Sequence, residues 1–158
     1  MRSAMDRIVV GLASPDVAVI GLHGEHDEFS APKLSRAILD ALGTGASVVI
    51  DLTDATFLDS TTVSALLRGR NAAAQRGLDF SVVLDHQAGW SVRHLFELTR
   101  LADVLPVVPR LEDALARARN GFRGRERRSF VDRRSGSDRR SAARPGGDRR
   151  SGLDRRAS

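Results

Sequence analysis

Short β-branched runs alternate with one-sided helical stripes along most of this chain. Ile8 to Leu12 and Val17 to Leu22 are two such runs, separated by Ala13-Ser14-Pro15-Asp16, whose Pro-Asp step predicts a hairpin turn. The second run ends in Gly21-Leu22-His23-Gly24-Glu25-His26-Asp27, read as a polar loop at a strand end. Ser30 then stands as a cap before Ala31-Pro32, with proline in the first helical turn. Leu34, Ala37, Ile38, Ala41 and Leu42 repeat at i, i+3, i+4, i+7 and i+8, the spacing of a helix with one buried face, and Gly43 and Gly45 stop it.

The central stretch runs from Val48 to Arg70. Its unbroken Val48-Val49-Ile50 predicts a covered central strand within residues 47–52. A polar turn leads through Phe57-Leu58 into Asp59-Ser60-Thr61-Thr62, after which Val63, Leu66 and Leu67 begin a helix ending at Gly77. Either Asp59 or Ser60 can cap that helix by accepting from an otherwise unpaired backbone N–H. On spacing alone the row of hydroxyls has two readings. One is a well-capped helix and nothing more; the other is a place where a helix N-terminus meets an anion such as phosphate.

Phe80 to Leu84 predicts a further strand, and Val92, Leu95 and Phe96 the apolar side of a helix reaching about Thr99. Leu105-Pro106-Val107-Val108 reads as an edge strand, because proline donates nothing to a ladder. Leu111, Leu115 and Ala118 mark a closing helix. The order β-β-α-β-α-β-α-β-α, with right-handed crossovers, predicts a small α/β domain over residues 5–119 with a mixed, mostly parallel sheet. The turns at residues 24–30 and 54–62 both fall at the C-terminal end of that sheet, which predicts that they are neighbours.

At 158 residues the chain has room for one such domain, and without cysteine it has no disulfide, thiolate metal site or cysteine nucleophile. No apolar run is long enough for a membrane span and no signal-peptide region opens the sequence, so a cytoplasmic protein is expected. The net charge of +5 is unevenly placed: residues 121–158 hold 13 arginines against five acids, and the other 120 residues are mildly acidic. From residue 120 the sequence repeats Asp-Arg-Arg-Ser, at Asp132, Asp138 and Asp148, and is nearly free of apolar residues. That composition predicts a disordered tail, either a solvated extension or a weak, salt-sensitive contact for nucleic acid or an acidic partner.

Little else suggests chemistry. His23 and His26 are the one close histidine pair and read as surface polarity; Asp51, Asp54 and Asp59 lack metal-ligand spacing. Trp90 reads as a partly buried residue at a helix start. No nucleophile–base pattern, Walker loop or dinucleotide fingerprint occurs, so the sequence predicts a binding protein with no catalytic residue, metal or cofactor.

Three stretches together resemble the STAS domain, and more narrowly the bacterial anti-sigma factor antagonists. They are Gly24-Glu25-His26-Asp27, the run Phe57-Leu58-Asp59-Ser60-Thr61-Thr62, and residues 92–101, Val-Arg-His-Leu-Phe-Glu-Leu-Thr-Arg-Leu. The resemblance implies a phosphorylation-controlled switch. An anti-sigma factor that is itself a serine kinase would bind the unphosphorylated protein, freeing a sigma factor for transcription, and would phosphorylate Ser60. A phosphoserine phosphatase would reset the switch. Asp27, Asp59, Ser60, Thr61 and Thr62 would form the partner-binding surface. Three positions depart from the family pattern: Thr62 and Arg100 stand where glycine is usual, and His26 where an aliphatic residue is. The resemblance also covers a second role, a STAS subunit of a larger assembly, such as a lipid-transport ATPase or signalling complex, with no phosphate cycle.

Overall fold

The computed structural model describes residues 7–121. The tail expected from residue 120, with its Asp-Arg-Arg-Ser repeats, lies outside the described residues except for positions 120 and 121, which are helical.

Strands β1 (Arg7–Ser14) and β2 (Val17–His26) form the antiparallel hairpin around Pro15-Asp16, and helix α1 (Ala31–Gly43) follows. Then come β3 (Ser47–Asp51), β4 (Ala55–Leu58), α2 (Ser60–Gln75), β5 (Phe80–Val83) and α3 (Trp90–Thr99). A 3₁₀ turn (Leu101–Asp103), β6 (Val107–Val108) and a helix over residues 111–121, here α4, complete the described chain. The main sheet has the order β1-β2-β3-β5-β6, antiparallel between β1 and β2 and parallel elsewhere. Strand β6 is an edge, with Pro106 just before it.

The unbroken apolar run of β3 has a physical reason. Successive residues of a strand point to opposite faces, and here both faces are covered. Val48 and Ile50 join Leu34, Ile38, Leu66 and Phe96 in the larger cluster under α1, α2 and α3. Val49 joins Val17, Val83, Ala114 and Ala118 in the smaller cluster under α4. The α1 and α2 helices meet closely at Gly69, where an added Cβ would lie 3.0 Å from two carbons of Ile38 and 3.1 Å from Phe80.

Two elements differ from the sequence-based expectation. Gly21 to His26 is not a loop: β2 continues through His26, paired with β1 as far as His23 and then in parallel with β4, read above as part of a polar turn. The closing helix also reaches residue 121, past the boundary expected at 119.

Arg100 closes α3 with φ +55° and ψ +37°, and is the one non-glycine residue with positive φ among the described residues. A left-handed C-terminal position favours glycine because a Cβ crowds the following carbonyl. The side chain's return there is an exposed ion pair with Asp103 at 3.5 Å, which contributes little. Arg100→Gly is therefore expected to stabilise the domain by about 0.5–1 kcal/mol, read as a higher thermal midpoint.

Candidate functional site

The β2–β4 ladder assembles the site. Gly24 pairs with Ala55, Glu25 with Phe57 and His26 with Leu58. Gly24, at φ +83°, donates its N–H to Asp54 O at 3.0 Å, and the irregular step after it re-aims the strand. At the far end, Asp59 N–H donates to His26 O at 3.1 Å. Asp27 and Asp59 thus leave two paired strands at the same level, and the turns at residues 24–30 and 54–62 are neighbours as expected.

After β2 the chain folds into a tight turn. Asp27 O accepts from the N–H groups of Ser30 and Ala31, both at 3.0 Å, and Asp27 Oδ1 accepts from Phe29 N–H at 3.0 Å. Ser30 occupies the position before α1, yet its side chain makes no capping bond. Its hydroxyl turns back instead, taking Asp27 N–H at 3.1 Å and lying 3.1 Å from His26 Nδ1. His26, read above as surface polarity, is 1 % exposed, and its Nε2–H donates to His23 O at 2.9 Å. The imidazole is a buried strut beneath the turn. Its partners lie three and four residues away, and only the folded turn brings them to the ring.

Asp59 caps α2. Its backbone is extended, and its Oδ1 accepts from Thr62 N–H at 2.9 Å, from the Thr61 hydroxyl at 2.6 Å and from the Thr62 hydroxyl at 3.1 Å. The choice left open between Asp59 and Ser60 as cap is settled in favour of Asp59. Desolvation pushes the carboxyl pKa up. The donors outweigh it, chiefly the Thr61 hydroxyl and then the Thr62 N–H, and hold it below the ordinary 3.8.

A depressed folded-state pKa contributes stability that is complete above the unfolded value and lost as pH falls through the folded one. Asp59→Ala removes the cap and leaves the buried Thr62 hydroxyl without its acceptor, so it is expected to cost about 1–3 kcal/mol at neutral pH. The gap between wild type and variant should narrow as the pH drops below the ordinary carboxylate value, which urea titrations at neutral and acidic pH would measure.

The three hydroxyls that follow Asp59 stand in different situations. Thr62, expected in the partner-binding surface, is fully buried in the folded domain. Its side chain packs inward and its hydroxyl donates to Asp59 Oδ1. Thr61 is exposed but its hydroxyl is tied to Asp59. Ser60 is exposed at the first position of the helix, and its hydroxyl has no hydrogen-bond partner among the described residues.

Apolar groups flank these polar ones. Phe29 in the first turn and Phe57 in β4 are both exposed. Trp90, read above as partly buried, is 67 % exposed and stacks on His94 with centroids 4.5 Å apart. The i, i+4 spacing of that pair is the signal in the sequence that could have revealed the stack. Gly89, just before Trp90, sits against β4: an added Cβ would lie 2.9 Å from Thr56 Cα and 3.0 Å from Ala55 O. Its N–H donates to Ala55 O at 3.1 Å, so α3 begins on the strand that leads to Asp59. A cleft of about 840 Å³ opens between α1 and α2, lined by Thr61 and Ser64 together with Arg36, Arg68, Glu28 and Asp40. No group of three or more metal-ligating side chains comes together among the described residues. No described helix is long and apolar enough to cross a membrane.

Comparison with known proteins follows the same outline. The family model of the STAS domain matches residues 12–114. Among solved structures, an anti-sigma factor antagonist from Mycobacterium paratuberculosis is 31% identical, with a TM-score of 0.62 over 75% of this chain and 99% of that one. An anti-sigma-factor antagonist (STAS) domain protein from Planctomyces limnophilus is 21% identical, with a TM-score of 0.57 over 73% and 99% of the two chains. The anti-sigma factor antagonist SpoIIAA in its unphosphorylated form is 22% identical, with a TM-score of 0.58 over 72% and 97%. The Bacillus protein is also similar in its phosphorylated form, at 19% identity and a TM-score of 0.53 over 70% and 98%. No curated protein sequence matches significantly.

Proposed function

The chain belongs to the STAS domain family, and we propose that it acts there as an anti-sigma factor antagonist gated by phosphate on Ser60. In this reading an anti-sigma factor with serine kinase activity binds the surface formed by Asp27, Asp59, Ser60 and Thr61, and a sigma factor is thereby freed for transcription. The kinase transfers the γ-phosphoryl group of its nucleotide to Ser60 Oγ, and the complex comes apart. A phosphatase acting on phosphoserine restores the binding form.

The observation that carries the proposal is the contrast among the three hydroxyls. Thr62 is buried, Thr61 is held at 2.6 Å by Asp59, and Ser60 alone is both exposed and unengaged. A kinase needs a hydroxyl it can reach and orient, and Ser60 meets that need without breaking the cap.

The consequence of phosphate at that position is electrostatic. It adds about −1.5 to −2 charges at neutral pH, next to the ionised Asp59 and one rung from Asp27. The N-terminus of α2 accommodates the charge within the domain, because its first N–H groups and dipole favour an anion. A partner surface shaped to a neutral hydroxyl gains no such compensation. Phe29 and Phe57 supply the apolar contact such an interface requires at its core, with the carboxylates setting its orientation.

The test is phosphosite mapping by mass spectrometry after the full chain is incubated with its cognate kinase and ATP. Phosphate on Ser60, absent from the Ser60→Ala variant, is the expected result. Phosphate confined to Thr61 would sink the assignment. No phosphate at all, together with stable residence in a larger ATPase or signalling complex, would favour the phosphate-free STAS subunit instead.

A further inference from the structure

Strand β1 is an edge of the sheet among the described residues. Among the described residues it pairs only with β2, and no backbone hydrogen bond leaves its other side. Edge strands are ordinarily blunted by lysines, prolines, inward charges or shortness. Over its eight residues β1 has one charge, Arg7 at its start, no proline, and one irregular step, confined to its far end between Leu12 and Ser14, so the stretch from Ile8 to Leu12 is regular and unguarded.

Ile8 is half-buried against the larger cluster, but apolar side chains further along the strand are uncovered on both faces. Val10 and Leu12, opposite Ile20 and Ala18, lie on the α1 face and are 54 % and 70 % exposed; Val9, opposite Gly21, lies on the other face at 45 %. Along the α1 face an apolar groove of about 870 Å³ separates β1 from the helix, with Val10, Leu12, Pro15, Ala37 and Ala41 in its walls.

We propose that this edge pairs antiparallel with β1 of a second copy of the chain, about a two-fold axis at Val10, so that two sheets become one. An axis normal to the sheet keeps both α1 faces on the same side, and facing residues must then be alike in parity. Centring on Val10 sets Val10 against Val10, Ile8 against Leu12, and Val9 against Gly11. Arg7 falls beside the irregular step at Ala13, beyond the regular rungs, so the charged residue of each strand avoids its own copy. Every other rung is apolar against apolar, the pairing that stabilises antiparallel strands. Shifting the axis to Gly11 is worse, because it sets Ile8 against Ser14 and Arg7 against Pro15, which cannot donate to the ladder.

The helices leave room for this. Leu34, Ile38 and Leu42 of α1 pack with β2 and β3 residues Ile20, Leu22, Val48 and Ile50. In the joined sheet the two α1 helices stand about 20 Å apart, four strand spacings. Packed helices require only about 8–10 Å.

The test uses the full chain. Sedimentation velocity over a concentration series should show a monomer–dimer equilibrium. Val10→Lys, which places two ammonium groups at the axis, should shift it to monomer, with a thermal midpoint equal to wild type at concentrations where the wild type is itself monomeric. Leu12→Lys, at the more exposed position, should do the same and serves if the first variant folds poorly. Because the natural chain has no cysteine, single cysteines report the register. Val10→Cys should oxidise to a cross-linked dimer, whereas Ile8→Cys and Leu12→Cys should cross-link only when mixed. A chain monomeric at every concentration, a dimer that both lysine variants leave intact, or Ile8→Cys cross-linking alone as readily as Val10→Cys would each overturn the proposal. None of these outcomes bears on Ser60, whose phosphorylation is read separately.

Discussion

Ser60→Asp is expected to weaken binding to the anti-sigma factor by about 100-fold or more, while Ser60→Ala binds as the unphosphorylated protein does. The aspartate introduces a carboxylate at the first position of α2, beside Asp59, where the proposed interface meets a neutral hydroxyl. Juxtaposing like charges or stranding one without a partner in an interface costs on the order of several kcal/mol, and each 1.4 kcal/mol is a factor of ten. The alanine removes an exposed hydroxyl that has no partner among the described residues, so nothing buried is left unsatisfied. Both variants keep the Asp59 cap, and their thermal midpoints should stay close to wild type. Isothermal titration against the purified kinase measures the pair. Equal affinities for the two variants would remove Ser60 from the switch.

Ile50→Ala is expected to destabilise the domain by about 2–5 kcal/mol, the range for truncating a fully buried large aliphatic side chain. Ile50 is completely buried in the middle of the central strand, between β2 and β5, and packs into the larger cluster. Its neighbours belong to a strand held on both sides and cannot close the gap by moving together. A lower urea midpoint with an unchanged slope is the expected reading. With total stabilities of about 5–15 kcal/mol for ordinary domains, such a loss is a large share of the whole.

What could be read from the sequence follows from which physical signals are local. The run at Val48–Ile50 was legible because burial on both faces requires an apolar residue at every position, and that leaves a continuous trace. The four helical stripes were legible for the matching reason, periodic burial on one face. Strand β4 left no such trace: of its four residues, Ala55 and Leu58 are buried and Thr56 and Phe57 are not. Its identity comes from a ladder with residues about 30 positions earlier. Glu25 and His26 carry the polarity that ordinarily marks a loop, whereas His26 is buried with both ring nitrogens placed near oxygen partners.

The site itself was more legible in its residue types than in its geometry. Asp27, Asp59 and Ser60 were nominated from their motif positions, and the fold brings their two turns side by side. The different situations of Ser60, Thr61 and Thr62 could not be read from adjacent hydroxyl residues. They depend on how α2 is rotated against the core and on a single carboxylate oxygen that collects three donors.

The β2–β4 ladder also bears on how quickly a partner can be recognised and released. Because hydrogen bonds between Gly24 and Asp54 and between His26 and Asp59 already hold the two turns in register, a docking protein meets a surface that is rigid before contact. Association on such a surface has little conformational search to complete, so in the proposed switch the phosphoryl group acts through its charge and not by refolding the turns. A bare serine then gives a long-lived complex, and the phosphorylated form is met more slowly and released sooner.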